Sequence, residues 1–186
     1  GYFDGAVIFA DNDFSGTLSL GDSVFATDAS GVFTIRGADG PLLMYGGTDI
    51  STGRTFDGQY EAPEGYVVIN PMTTLVRALE RALHVLPGAE TAARTAFGAG
   101  GGLALDRYDP FQAVTAAGAT VASIAEAVAY QRAAASLSLL TDVGAAALVG
   151  MGAATDLREA SKALFTQVAG LVANGPFLVG QIGRAH

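Results

Sequence analysis

The hydrophobic period of the chain changes once, at Asn70-Pro71, and that change limits what each side of it can fold into. Before it, apolar residues fall in short runs: Gly5 to Ala10, Ser23 to Ala26, Val32 to Arg36, Pro41 to Tyr45, Thr55 to Glu61 and Tyr66 to Ile69. Their β-branched and aromatic content, with Gly, Asp, Ser or Pro between runs, predicts six short strands. After it, Met72, Leu75, Val76, Leu79, Leu83 and Leu86 recur every three or four residues, the stripe of an amphipathic helix. Asn70 is a good N-cap. Pro71 suits the first helical position, where a missing N–H leaves no bond unmade. Pro87-Gly88 is expected to stop this helix.

Further helices are expected near Ala89 to Phe97, from Asp109-Pro110, near Thr120 to Leu140 and near Asp156 to Ala173, the last with Leu157, Ala160, Leu164, Val168 and Leu171 on one side. Asp156 and Glu159 have capping-box spacing. The small residues of Gly144 to Gly152 lie between the last two helices and would let their backbones approach closely. The expectation is an α+β chain: a small antiparallel β-sandwich over residues 1–70, followed by an alanine-rich α-helical bundle over residues 71–186. The bundle is packed on the sandwich or hinged to it.

Charge follows the same division. Residues 1–70 hold ten acids and two bases, whereas residues 71–186 hold eight of each, so the net charge of −8 belongs to the β-rich segment. A bound divalent cation would relieve part of that repulsion, and nucleic acid is a poor partner for such a surface. No cysteine occurs, which removes disulfides, zinc–thiolate sites and cysteine nucleophiles. Two histidines, His84 and His186, are too few for a multi-histidine metal centre. The chain opens on Gly-Tyr-Phe-Asp without a secretory pattern and closes on Gly-Arg-Ala-His, as a piece of a longer protein would. The longest uncharged apolar run, Val143 to Ala154, falls short of the roughly 20 residues a bilayer requires, so no transmembrane segment is expected.

Residues 11–22, Asp-Asn-Asp-Phe-Ser-Gly-Thr-Leu-Ser-Leu-Gly-Asp, carry the ligand spacing of an EF-hand-type calcium loop. A hard cation needs several oxygens aimed at one point. Asp11, Asp13 and Ser15 take loop positions one, three and five, and Gly16 stands at the sharp turn. Thr17 offers its carbonyl, Ser19 occupies the often water-bridged position, and Asp22 closes the loop. The closing residue is Asp where the longer, bidentate Glu is usual, which points to modest affinity or to a different cation. Polar turn preference accounts for the composition of this stretch but not for its spacing. Gly5 to Ala10 and Ser23 to Ala26 flank the loop as strands, so the ion acts as a staple between strands and not as a switch between helices.

The stretch Gly5 to Ala10, the loop Asp11 to Asp22, and the turn and strand Thr27-Asp28-Ala29-Ser30-Gly31-Val32-Phe33-Thr34-Ile35 together resemble calcium-loop β-sandwich modules of bacterial surface proteins. Those are the collagen-adhesin B-type and carboxypeptidase-regulatory-like domains. The loop also resembles those of dockerins and thrombospondin-type-3 repeats. Gly46 to Ile50, Thr52-Gly53, Ala62-Pro63 and Val67 to Leu75 are similar to stretches of large secreted adhesin-like and repeats-in-toxin proteins. The resemblance covers about the first 75 residues. It implies an extracellular or cell-surface bacterial module, stabilised by Ca²⁺ and without catalysis. Its partners would be neighbouring domains of a longer chain, or an extracellular glycan or protein. The B-type modules continue as sandwich repeats, whereas this chain turns helical.

Other motifs read more plainly. Gly98-Ala99-Gly100-Gly101-Gly102 lacks the Gly-Lys-Ser/Thr ending of a phosphate loop and reads as a connector. Asp109-Pro110, a potential self-processing bond, also has the form of an N-cap followed by a first-turn proline. His84 reads as a helix-surface residue, and no Gly-x-Ser-x-Gly elbow exists to give it a triad. Asp49, Asp57, Glu61 and Glu64 offer carboxylates, and Tyr45, Tyr60 and Tyr66 offer rings for a ligand platform or for packing. A calcium-ordered carbohydrate- or peptide-binding module is the second functional reading, and an enzyme of unrecognised type the third.

Overall fold

A computed structural model describes residues 2–37, 39–98 and 102–175. The fold is α+β, with N-terminal antiparallel sheets followed by helices. Strands β1 (Phe3–Asp4) and β5 (Thr48–Asp49) form a two-stranded sheet. Strands β2 (Val7–Ala10), β3 (Ser23–Ala26), β4 (Leu42–Tyr45) and β6 (Gln59–Ala62) form a four-stranded sheet in the order β3-β2-β4-β6. Helices α1 (Pro71–Leu83), α2 (Leu86–Phe97), α3 (Pro110–Thr115), α4 (Val121–Gly150) and α5 (Leu157–Asn174) follow.

Helix α1 lies at the centre. It packs against β6, α2, α4 and α5, and Met72, Leu75, Val76 and Leu79 have no solvent exposure. One hydrophobic cluster joins Ile8 and Met44 of the sheet to these residues and to Tyr130, Leu137, Phe165 and Val168 of α4 and α5. The start of α1 is fastened by polar atoms. Asn70 Oδ1 accepts hydrogen bonds from the backbone N–H groups of Met72 and Thr73, and from the Tyr130 hydroxyl at 3.1 Å. Thr74 Oγ1 accepts from the Glu61 N–H at 2.9 Å, and Thr73 Oγ1 donates to the Glu61 carbonyl at 2.9 Å. At Glu61 the outer edge of β6 is therefore satisfied by two buried threonine hydroxyls in place of another strand. The buried Glu61 carboxylate forms an ion pair with Arg81, further along α1.

Several boundaries differ from expectation. Val32 to Arg36 forms no strand, although its turn exists: Asp28 accepts from the Ser30 and Val32 N–H groups, and Gly31 has φ +76°. The segment must carry the chain from outer strand β3 past β2 to β4, and it places Phe33 and Ile35 against the core without laddering. Tyr66 to Ile69 is likewise not a strand. Val67 N–H bonds to the Asp106 carbonyl, and the buried Tyr66 donates to Glu90 at 2.5 Å. Thr55 meets Thr48 only in an isolated bridge, so the expected run Thr55 to Glu61 narrows to β6.

Pro87-Gly88 does not stop α1. That helix ends at Leu83, where His84 adopts a left-handed conformation (φ 58°) and donates its N–H to the Glu80 carbonyl. Pro87 then sits in the first turn of α2, where proline leaves no bond unmade. Helix α4 runs on through Gly144 to Gly150. A Cβ at Gly144 would lie 2.7 Å from Leu164 Cδ1 of α5, so this glycine serves helix contact and not helix termination. By length and composition α4 could cross a bilayer, with a mean hydropathy of 1.5 over its most apolar stretch; the uncharged run is only part of it. On α5 the buried face is Ala160, Phe165, Val168 and Ala169, and Leu171 is exposed. Asp156 caps the Glu159 N–H, while Glu159 reaches past the cap to the Thr155 N–H and hydroxyl. The glycine-rich connector falls largely at residues 99–101, and His186 at the C-terminus; both lie outside the described residues.

Because Asn70 Oδ1 serves both α1 and α4, Asn70→Ala is expected to lower unfolding stability by about 1–3 kcal/mol, the sum of a lost cap and an unpaired tyrosine hydroxyl. The solvent-facing cap change Asp156→Ala should cost about 1 kcal/mol. Urea unfolding of the two variants checks the order.

Candidate metal centre

Strands β2 and β3 pair antiparallel with Ala10 opposite Ser23, so the loop between them is residues 11–22 and nothing more. Asp11 directly follows β2 and Asp22 directly precedes β3. This register brings the first and last loop positions together. Asp11, Asp13 and Asp22 each present a carboxylate oxygen, and the three oxygens lie within 4.8 Å of one another. Calcium–oxygen distances of about 2.3–2.6 Å allow ligands on opposite sides of one ion to sit roughly 5 Å apart, so the three can share an ion.

The loop is shaped by its own polar groups. Asp11 is 1% exposed; its two oxygens accept from Ser15 N–H at 2.9 Å and Gly16 N–H at 2.8 Å. Asp13 also accepts from Ser15 N–H, at 3.0 Å. Asp22 accepts from Asn12 N–H at 3.0 Å and from Ser19 N–H at 2.7 Å. A carboxylate has about four acceptor sites, so these bonds leave lone pairs for a cation. The Ser15 hydroxyl lies 3.4 Å from Asp11 Oδ1 and donates to the Thr17 carbonyl at 2.9 Å. Ser19 interacts with Asp13 through its side chain. Gly16 has φ +75°, the left-handed conformation the sharp turn requires. All six proposed ligand residues thus belong to one polar cluster, with the three aspartates at its centre.

Two neighbours of the loop carry no motif signal. Gly40 has φ +91°, and a Cβ there would lie 2.4 Å from the Asp11 carbonyl oxygen, so the backbone passes directly behind the first ligand position. The Asp11 N–H bonds to the next carbonyl, that of Pro41, at 2.9 Å. Lys162 of α5, the only lysine in the chain, places its ammonium group beside Gly16. Long-range packing brought both there, and spacing along the chain does not reveal it.

The remaining candidates disperse. Asp109 caps α3 through Phe111 and Gln112 N–H and accepts from the Tyr2 hydroxyl at 2.8 Å, the plain reading of Asp109-Pro110. Asp49 closes a turn through Ser51 and Thr52, Glu61 is paired with Arg81, and Asp57 and Glu64 are exposed. Tyr60 and Tyr66 are buried in the core, whereas Tyr45 stacks under the Arg158 guanidinium at 4.8 Å. Beside that stack is a cleft of about 460 Å³, lined among others by Phe56, Asp57, Val149 and Asp156. Comparison with family models, curated proteins and solved structures finds no match for this chain.

Electrostatics separates the two leading aspartates. Desolvation pushes the Asp11 carboxyl above the usual carboxylate range, while the Ser15 hydroxyl and N–H hold Asp13 below it. A raised folded pKa means that ionising Asp11 opposes folding. Its contribution is therefore fullest below the unfolded value near 3.9 and declines as pH rises through the folded value. In chelator, the melting temperature of wild type relative to Asp11→Asn should move in favour of wild type as pH falls from about 7 to about 3. A difference that is flat or of opposite slope contradicts this assignment.

Proposed function

We propose that the chain is a non-catalytic structural or adhesion module of a secreted or surface-exposed bacterial protein, with its β-part rigidified by one Ca²⁺. The ion is held by Asp11, Asp13 and Asp22, completed by oxygens of Ser15, Thr17 and Ser19. The observation that carries this reading is the convergence of the three carboxylates at the mouth of the β2–β3 hairpin. Strand β3 is an outer strand whose only ladder among the described residues is to β2. A cation shared between Asp11 and Asp22 fastens the end of β3 to the end of β2 and offsets the charge of a buried carboxylate. The location of the acidic excess in residues 1–70 supports the same reading. Extracellular placement rests on the resemblance to surface modules, as do its partners, neighbouring domains of a longer chain or an extracellular glycan or protein.

A second reading, a calcium-ordered binding module, draws on the apolar side chains of the loop. Phe14, Leu18 and Leu20 are exposed, and an ion that orders the backbone would present them as a recognition surface. Glycan or peptide binding that disappears in chelator distinguishes this module from a purely structural one.

An ion bound only to the folded state stabilises it by about 2.7 kcal/mol at a hundredfold excess over its Kd, or about 5–10 °C for a chain of this size. Calorimetry in calcium and in chelator should show that rise, and Asp11→Asn with Asp13→Asn should remove it. Equal melting temperatures for wild type in the two buffers would defeat the proposal.

A further inference from the structure

Helix α4 is packed on one side only. Tyr130, Leu137 and Ala145 face the core, and the opposite side carries Val121, Val128, Arg132, Ala135, Leu139 and Val143 in the open. Valine and leucine on that side are far from incidentally exposed: Val121 is 87%, Leu139 66% and Val143 62% accessible. These positions recur at intervals of three, four or seven, the seam of a two-helix packing and not the scatter of a solvated surface. Val121 to Val143 span about 33 Å of the helix at 1.5 Å per residue, roughly three heptads.

Charge selects the occupant. Arg132 is the one charged residue within the seam, and it forms no ion pair among the described residues. Asp142 flanks the seam ten residues later and, among the described residues, is bonded only to the Ser138 hydroxyl, at 3.1 Å. They stand about 15 Å apart along the axis and cannot meet within one helix. In a bilayer, both would be desolvated without a partner. In a parallel pair of chains, Arg132 would face its own copy. In an antiparallel pair about a two-fold axis near position 137, Arg132 of each chain comes level with Asp142 of the other. The same register sets Ala135 against Leu139 and Val128 against Ala146, small residues against large. Two charge pairs and the apolar seam are then satisfied together.

We infer that the outer face of α4 is a homodimer interface, formed by antiparallel packing of α4 against α4 of a second copy and registered by reciprocal Arg132–Asp142 ion pairs. The inference is independent of the calcium loop. Both charges lie on the accessible surface, so they act on association and on orientation more than on folding.

Sedimentation analysis of the purified chain at about 150 mM salt should give a dimer. Arg132→Asp alone and Asp142→Arg alone should each raise the dimer dissociation constant at least about tenfold. Equimolar mixing of the two variants should restore association, since the mixed pair sets two acidic side chains of one variant against two arginines of the other. Leu139→Glu, in the middle of the seam, should give a monomer with unchanged helical circular dichroism. A wild-type monomer at about 100 μM would overturn the proposal. So would variants that do not recover on mixing while both remain folded, or a wild type that partitions into neutral lipid vesicles and does not self-associate.

Discussion

The arrangement depends on the burial of the first turns of α1, where Met72, Thr73, Thr74, Leu75 and Val76 are buried in succession. A helix start covered all round cannot rely on solvent for its unpaired first-turn N–H groups, so the chain must supply internal acceptors there. It does so through Asn70, whose side-chain oxygen serves two α1 amides and the Tyr130 hydroxyl of α4. Thr73 and Thr74, within the same first turn, extend this logic to the sheet by taking up the N–H and carbonyl of Glu61. One turn of helix thus fixes the position of the sheet edge below it and the long helix beside it. Apolar area supplies the bulk of the stabilisation, and these few polar contacts determine how the layers are aligned.

What the sequence reveals follows how local each interaction is. The start of α1 at Pro71, the cap at Asp109 and the strand at Ser23 to Ala26 are written in adjacent residues, and they form as read. Val32 to Arg36 has the composition of a strand, but β3 lies at the sheet's outer edge and the chain must return across β2. The short β1–β5 pair and the two partly buried aromatic residues Phe3 and Phe56, which meet at 5.1 Å, depend on contacts more than forty residues apart in sequence. Pro87-Gly88 has equal claim to end one helix or begin the next. The left-handed turn at His84, three residues earlier, decides between them.

The candidate metal centre divides in the same way. Its donors are legible because oxygen spacing within twelve residues is a local property, and the hairpin register brings the ends of that stretch together. The long-range neighbours behind it are not. Gly40 reaches the back of Asp11 from across the β3–β4 connection, and Lys162 arrives from α5. Its ammonium stands beside Gly16 and, among the described residues, forms no ion pair with the loop carboxylates.

The pairing of Ala10 with Ser23 makes the loop a fixed measure as well as a candidate ligand set. Side chains at either donor can be exchanged without disturbing the ladder. Adding or removing one residue between them is different, because it would shift β3 by one position and turn its inward side chains outward. The same change would also move the twelfth donor off its place. If the segment holds an ion as proposed, its chemistry, and with it affinity or choice of ion, can change at fixed length, whereas a change of length upsets two requirements that fail together.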